Sequence, residues 1–308
     1  MTGASLPPTI QDRIRALPCF TGTLDIVPLR GGLSNENWLV RDARGRHVVR
    51  FGSDYPVHHV FRNRELMVAR AAHAAGFAPA VEHAEPGIMV SQYLAAATYD
   101  AGDVRANAAR IGSLVARFHA TMATHIEGPA FLFWVFHVIR DYARTLVAGG
   151  SRMALRLPGW LALAAELEAA QVPLPLIFGH NDLLPGNFLD DGDRLWLIDF
   201  EYAGFSTAMF DLAGAASNAG MSAQEAGTLI ASASGGRVPD PAFQRAFDAM
   251  QCASLLRETL WSLVSELHLD APGVDYEAYT ADNLVRFELA LDAYQSAHGR
   301  FTNGKTTP

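Results

Sequence analysis

Two apolar runs that each deliver an aspartate constrain this chain more than anything else in it. Leu174 to Phe178 leads into Gly179-His180-Asn181-Asp182, and Leu195 to Ile198 leads into Asp199-Phe200-Glu201. Short apolar runs of this kind read as buried strands, and a charge held at the end of a buried strand is usually there for chemistry. Between them, Asp190-Asp191-Gly192-Asp193 reads as a hairpin turn joining Phe188-Leu189 to the second run, which brings Asn187 and Asp199 side by side. A calcium-loop reading of that acidic turn fails, because its glycine and the distal glutamate are not at the required spacing.

Asp182, Asn187 and Asp199 are the side-chain types that phosphoryl transfer from ATP requires. That reaction asks little covalent chemistry of a protein and much positioning of charge. Two oxygen ligands must hold Mg²⁺ against the phosphates, a role that suits Asn187 and Asp199, while one carboxylate, Asp182, orients the attacking hydroxyl. The kinase catalytic-loop pattern H-R-D-x-x-x-x-N is met by His180-Asn181-Asp182 and Asn187, and the later metal-binding Asp-Phe pair by Asp199-Phe200. A second pattern is rejected. Gly299 to Thr306 fits G-x-x-x-x-G-K-[ST] letter for letter, yet the preceding segment has helical periodicity and almost nothing follows it. No strand and helix are there to aim backbone amides at phosphate.

The chain has 308 residues, 50% of them hydrophobic, enough for one large or two modest cores. A formal charge of −8 and the lack of any basic block oppose nonspecific binding to nucleic acid and favour a small cationic partner. The aromatic-rich run Phe131 to Ile139 is far short of a membrane span, and the N-terminus lacks a signal core. A cytoplasmic protein with no membrane partner is expected, and oligomeric state is left open. Cys19 and Cys252 are too few for a disulfide framework and are expected to be reduced.

The pattern is α+β. Residues 1–94 alternate strand and turn signals around one helix: strands at Thr23 to Leu29, Asn37 to Val40, His47 to Phe51 and Ile88 to Ser91, a tight turn at Gly31 to Asn35, and a helix over about Val60 to Ala75. Residues 95–301 are mostly helical. Ile111, Leu114, Val115 and Phe118 share one face of a helix that Asp103 is placed to cap; Ser222 to Glu225 is a capping box; Asp240-Pro241 opens a helix through about His268. Residues 302–308 read as a disordered tail. In a two-lobed, protein-kinase-like arrangement the sheet lobe must place a cation near the ATP phosphates. Arg50 on the third strand, paired with Glu65 on the following helix, is the candidate. Gly32, Ser34 and Asn35 in the turn, and Gln92 and Leu94 where the chain leaves the sheet, complete the nucleotide candidates.

Gly31-Gly-Leu-Ser-Asn-Glu-Asn37, His180 to Asn187 and Leu197-Ile-Asp-Phe-Glu-Tyr-Ala-Gly204 together resemble bacterial choline/ethanolamine kinases of the aminoglycoside-phosphotransferase-like superfamily. The resemblance spans nearly the whole chain. It implies a two-lobed kinase-like fold, ATP with Mg²⁺, and transfer to the hydroxyl of a small cationic amino alcohol such as choline or ethanolamine. It also implies Asp182 as base, His180 as scaffold and Asp211 as the acid bracing the catalytic loop. Trp261 corresponds to an aromatic of a choline cage, where a ring face attracts a quaternary ammonium; a core tryptophan is the competing reading. Tyr202 is placed to contribute similarly, and Glu201 is either a second metal neighbour or an acid facing the cation.

The chain departs from the family at the acceptor pocket. The expected acid seven residues after Asp211 is Asn218, the expected second cage tryptophan is Glu258, and Phe205-Ser206 follows Gly204 where Asn is usual. Glu258 and Trp261 are helix neighbours, so the pocket's carboxylate has moved to a new wall or the acceptor is another alcohol, such as thiamine or an aminoglycoside. A nucleotide-binding pseudokinase scaffold is the reading from a different class.

Overall fold

The computed structural model describes residues 9–29, 36–269 and 274–300. The Gly31 to Asn35 turn and the 302–308 tail lie outside them. The first element of the described residues is a six-residue helix, α1 (Ile10–Arg15), opened by a Thr9/Asp12 capping box. Strands β1 (Asp25–Leu29), β2 (Glu36–Asp42) and β3 (Gly45–Phe51) follow, then α2 (Arg62–Ala74), β4 (Val81–Glu85) and β5 (Ile88–Gln92). They form an antiparallel sheet in the order β1-β2-β3-β5-β4. Pro28 sits in β1, an edge strand, where its missing N–H costs no ladder bond.

Alternation along β3 decides what each face does. Val49 and Phe51 point into a small core with Val40, Ile88, Val90, Ile14 of α1 and Leu17 just beyond it. Arg50 therefore points the opposite way. The helix begins at Arg62, later than Val60, because Val60 is held in a β-bridge with Tyr55. Two elements of this lobe are missing from the sequence-based expectation: α1, too short for its periodicity to register, and β4, a polar edge strand with a register shift between Val81 and His83.

The larger lobe starts with β6 (Ala97–Thr98), α3 (Ala101–Ala106) and α4 (Ala108–Thr121). Asp103 does not cap the helix that carries Ile111. Asp100 caps α3, and Asp103 is its reciprocal partner, with Asp103 N donating to Asp100 Oδ1 at 2.9 Å and Asp100 N to Asp103 Oδ2 at 3.0 Å. Asn107 then breaks the chain between two helices where the periodicity reads as one. Helices α5 (Val135–Ala148) and α6 (Leu157–Ala169) precede strands β7 (Leu176–Gly179), β8 (Phe188–Asp190), β9 (Leu195–Leu197) and β10 (Gly204–Thr207). After them come α7 (Ala208–Ala219), α8 (Ala223–Ala233), α9 (Pro241–His268) and α10 (Tyr276–His298). The Ser222/Glu225 capping box and the Asp240 N-cap form as the residues predict. Helix α9 is buried almost continuously from Ala246 to Ser265 and forms the axis of the lobe. No helix among the described residues is long and apolar enough to cross a membrane.

The two lobes share one core. Val68, Ala69 and Ala72 of α2, with Phe77 beyond it, join the buried residues of the helical lobe, and Phe77 meets Phe118 of α4 edge-on at 5.2 Å.

Candidate active site

β7 pairs with β10 in a register that sets Gly179 opposite Gly204, and the loop from His180 to Asn187 leaves the end of β7. A side chain at Gly179 would lie 2.5 Å from Ser206 Oγ and 3.1 Å from Asp211 Oδ2, so only glycine admits what packs there. What packs there is Asp211, from the first turn of α7. Its carboxylate accepts the backbone N–H of His180 at 2.9 Å and of Asn181 at 2.7 Å, and lies 2.7 Å from His119 Nε2. Burial pushes the Asp211 pKa up, but the His119 hydrogen bond and charge outweigh it and hold the group below the usual carboxylate range. His180 is fully buried, lies tilted against the Phe200 ring at 5.0 Å and places Nε2 3.0 Å from Ile198 O.

Two non-glycine residues of this region have left-handed backbones, Asn181 (φ 61°) and Asp199 (φ 66°). Such conformations persist where surrounding contacts impose them. The Asn181 amide donates to Tyr202 O and Gly204 O, both at 3.2 Å, so it ties the catalytic loop to the segment after Asp199. The β8–β9 hairpin pairs Phe188 with Leu197, and Ile198 N donates to Asn187 O at 3.1 Å. Asn187 in turn donates to Asp182 O at 2.8 Å. One contiguous piece of chain thus brings Asp182, Asn187 and Asp199 together.

The sheet lobe meets this cluster through two arginines. Arg50 pairs with Glu65 and also reaches Asp199 Oδ1 at 3.2 Å. Arg62, which nothing in the sequence singled out, bridges Glu65 at 2.7 Å and Glu201 at 3.0 Å. Its pairing with Glu65 is an i,i+3 contact on α2, whereas Glu201 lies 139 positions away. Gln92 ends β5 opposite His47, three steps along the ladder from the Arg50–Met89 pair, and Leu94 follows it half-buried. Gly32, Ser34 and Asn35 lie outside the described residues.

The acids crowd one another. Burial raises the Asp182 pKa well above the usual range; Arg257 draws it back, while Glu258, Asp199 and Glu201 push it further up. Glu201 is raised by its burial and then by Asp199, against the pull of Arg62 and Arg50. Among the described residues no group of three or more His, Cys, Asp or Glu side chains is arranged to hold a metal alone. Hard oxygen donors from Asn187 and Asp199 in a crowd of carboxylates do fit Mg²⁺ of the nucleotide-borne kind, which takes few protein ligands and completes its shell with phosphate oxygens and water.

The acceptor side differs from the cation cage that the resemblance implies. Trp261 is only 6% exposed; its Nε1 donates to Tyr202 Oη at 2.9 Å, and its ring is covered by His58, Tyr276 and Tyr279. It packs as a core tryptophan. Glu258 has both oxygens engaged, Oε2 by Arg257 Nη1 at 2.8 Å and Oε1 by Tyr279 Oη at 2.7 Å. It is thus not a free counter-charge for a cation. The Tyr202 ring faces the Arg257 guanidinium at 4.4 Å. Asn218 donates to Leu183 O at 3.4 Å and lines, with Asp182, Ser254, Arg257 and Glu258, a small cavity beneath the catalytic loop. Arg257, like Arg62, is a residue that sequence reasoning missed. A lone arginine in a helix carries no signal until its neighbours in space are known.

The structure of a choline/ethanolamine kinase family protein from Mesorhizobium loti is similar over 94% of this chain and 99% of its own, at 27% identity and a TM-score of 0.74. The choline kinase LicA of Streptococcus pneumoniae shares the fold over 93% of this chain and 98% of its own, at 20% identity and a TM-score of 0.74. A probable ethanolamine kinase of Arabidopsis thaliana is 27% identical over 164 residues, 49% of this chain and 43% of that protein. The chain therefore spans less than half the length of that relative. The model of the phosphotransferase enzyme family (APH) matches residues 25–248, most of the chain, including Asp182, Asn187, Asp199 and Asp211 but not Arg257, Glu258 or Trp261, and the protein belongs to that family.

Proposed function

We propose that the protein is a kinase that transfers the γ-phosphoryl group of Mg·ATP to the hydroxyl of a small amino alcohol, with the nucleotide lying between residues 1–94 and residues 95–301. The observation that carries this reading is the convergence of Asp182, Asn187 and Asp199 at the mouth of a lobe interface across which Arg50 and Arg62 reach. Asp182 receives the proton as the acceptor oxygen bonds to the γ-phosphorus and the bond from that phosphorus to the ADP oxygen breaks. Its raised pKa suits a group that must accept a proton during transfer. Asn187 and Asp199 would hold Mg²⁺, which neutralises charge on the phosphates. Arg50 would exchange its contact with Asp199 for phosphate oxygens, and Glu65 keeps it oriented. Asp211 positions the loop through two backbone N–H groups. The relatives' names support an amino-alcohol acceptor, and a LicA structure with bound AMP supports an adenine nucleotide.

Coupled measurement of ADP release with ethanolamine, choline and their derivatives tests the reading. Asp182→Asn should lower acceptor-dependent turnover by about a hundredfold or more while Mg·ATP still binds, the range for a positioned base. Turnover within a few fold of wild type would remove Asp182 from this role.

A further inference from the structure

Arg257 is 4% exposed, deep in α9, yet only part of its guanidinium is used. Nη1 donates to Glu258, and the planar face lies on Tyr202. Nε and Nη2 have no hydrogen-bond partner. These two atoms form the edge that receives both oxygens of a carboxylate side by side. A buried donor pair without a partner is unfavourable unless something fills it.

The position of that edge says what fills it. Arg257 lines the cavity beneath the catalytic loop together with Asn181, Asp182, Asn218 and Ser254. Arg50, Asn187 and Asp199, which face the nucleotide, do not line it. An anion at Arg257 thus belongs to the acceptor and not to ATP. Asp182 and Glu258 flank the guanidinium, with Nη1 3.9 Å from Asp182 Oδ1 and 2.8 Å from Glu258 Oε2. A doubly charged phosphate would face two carboxylates there, whereas a singly charged carboxylate matches the unpartnered Nε and Nη2 pair.

We propose that the acceptor is an alcohol that carries a carboxylate, received by Nε and Nη2 of Arg257 while its hydroxyl lies at Asp182. With the amino group of the proposed amino alcohol kept, the class is a hydroxylated amino acid. The proposal rests on the phosphoryl-transfer reading and narrows its acceptor. The group transfer is unchanged: the acceptor oxygen bonds to the γ-phosphorus, ADP leaves with its bridging oxygen, and the hydroxyl proton goes to Asp182.

The test uses acceptor pairs that differ only by the carboxylate: L-serine against ethanolamine, and L-homoserine against 3-aminopropan-1-ol, each with Mg·ATP. In the wild-type protein the acid of at least one pair should have a kcat/KM at least tenfold above its partner. Arg257→Lys keeps a cation for Glu258 but loses the fork. It should erase that preference and raise the acceptor KM at least tenfold more than the ATP KM. As a readout independent of turnover, the preferred acid should raise the wild-type melting temperature saturably and leave that of Arg257→Lys unmoved. Amino alcohols turned over as well as the acids, or a preference that survives in Arg257→Lys, would overturn this proposal and leave the kinase reading standing. Folded wild-type protein that neither binds Mg·ATP nor consumes it with any acceptor would overturn both.

Discussion

His58 is 2% exposed against Trp261 and Tyr142, with Nε2 3.2 Å from Ser265 Oγ. Burial, reinforced by the nearby charge of Arg257, pushes its pKa down to about 3 from 6.5. The unfolded chain takes up this proton near the ordinary value and the folded protein refuses it. The stability is therefore full above pH 6.5 and is lost as the pH falls from 6.5 toward 3, by up to about 1.4 kcal/mol per pH unit from this group. Urea unfolding at pH 7 and at about pH 4.5 should show a smaller loss for His58→Gln than for wild type, by about 2 kcal/mol. Equal losses would mean that the protonated ring is tolerated in the fold. Side chains of this kind were not legible in the sequence. Nothing around Pro56-Val-His58 marks a histidine that is pressed against a tryptophan more than 200 positions away.

Among the elements, α4 and α8 approach so closely that a side chain at Gly112 would lie 2.4 Å from the carbonyl oxygen of Leu229 and 2.9 Å from Ser232 Cβ. A backbone oxygen cannot swing aside. Gly112→Ala should therefore destabilise the protein by about 1–3 kcal/mol through a forced separation of the two helices. Gly227 is also in the interior of α8 but meets nothing within 4 Å, so Gly227→Ala should be neutral or stabilising by up to about 1 kcal/mol. Thermal melts of the pair check this, and a similar effect of both substitutions would refute the close approach. Element boundaries were legible wherever a local device sets them, as at Ser222 and Asp240, since a cap needs only three or four consecutive residues. They were misread where a local device has two partners of the same type. Asp100 and Asp103 both qualify as caps; Asp100 is the cap and Asp103 its partner inside α3, which ends at Asn107 before α4 begins.

For the whole molecule, Arg62 is, with Arg50, one of two arginines whose charge spans the lobes, from Glu65 in α2 to Glu201 beyond β9. The arginine and both glutamates are largely buried, at 13%, 2% and 7% side-chain exposure. Removing the arginine leaves buried acid without its cation, which costs about 3 kcal/mol or more. Arg62→Met should lose that much in urea unfolding, and adding Glu201→Gln should restore part of it, with a coupling of at least about 1 kcal/mol. Additive losses would mean that the bridge carries no energy between the lobes. The sequence by itself determined the α+β lobes and the trio Asp182, Asn187 and Asp199, because the loop and hairpin that gather them are contiguous; the expected burial holds for Leu195 and Leu197 of β9 but not for the start of β7, where Leu176 is 63% exposed. The tertiary structure alone decided what surrounds the trio. Arg62 meets Glu201 across 139 positions and Arg257 meets Asp182 across a different helix. No local period or motif encodes such meetings; they follow from which faces of distant elements the shared core packs together.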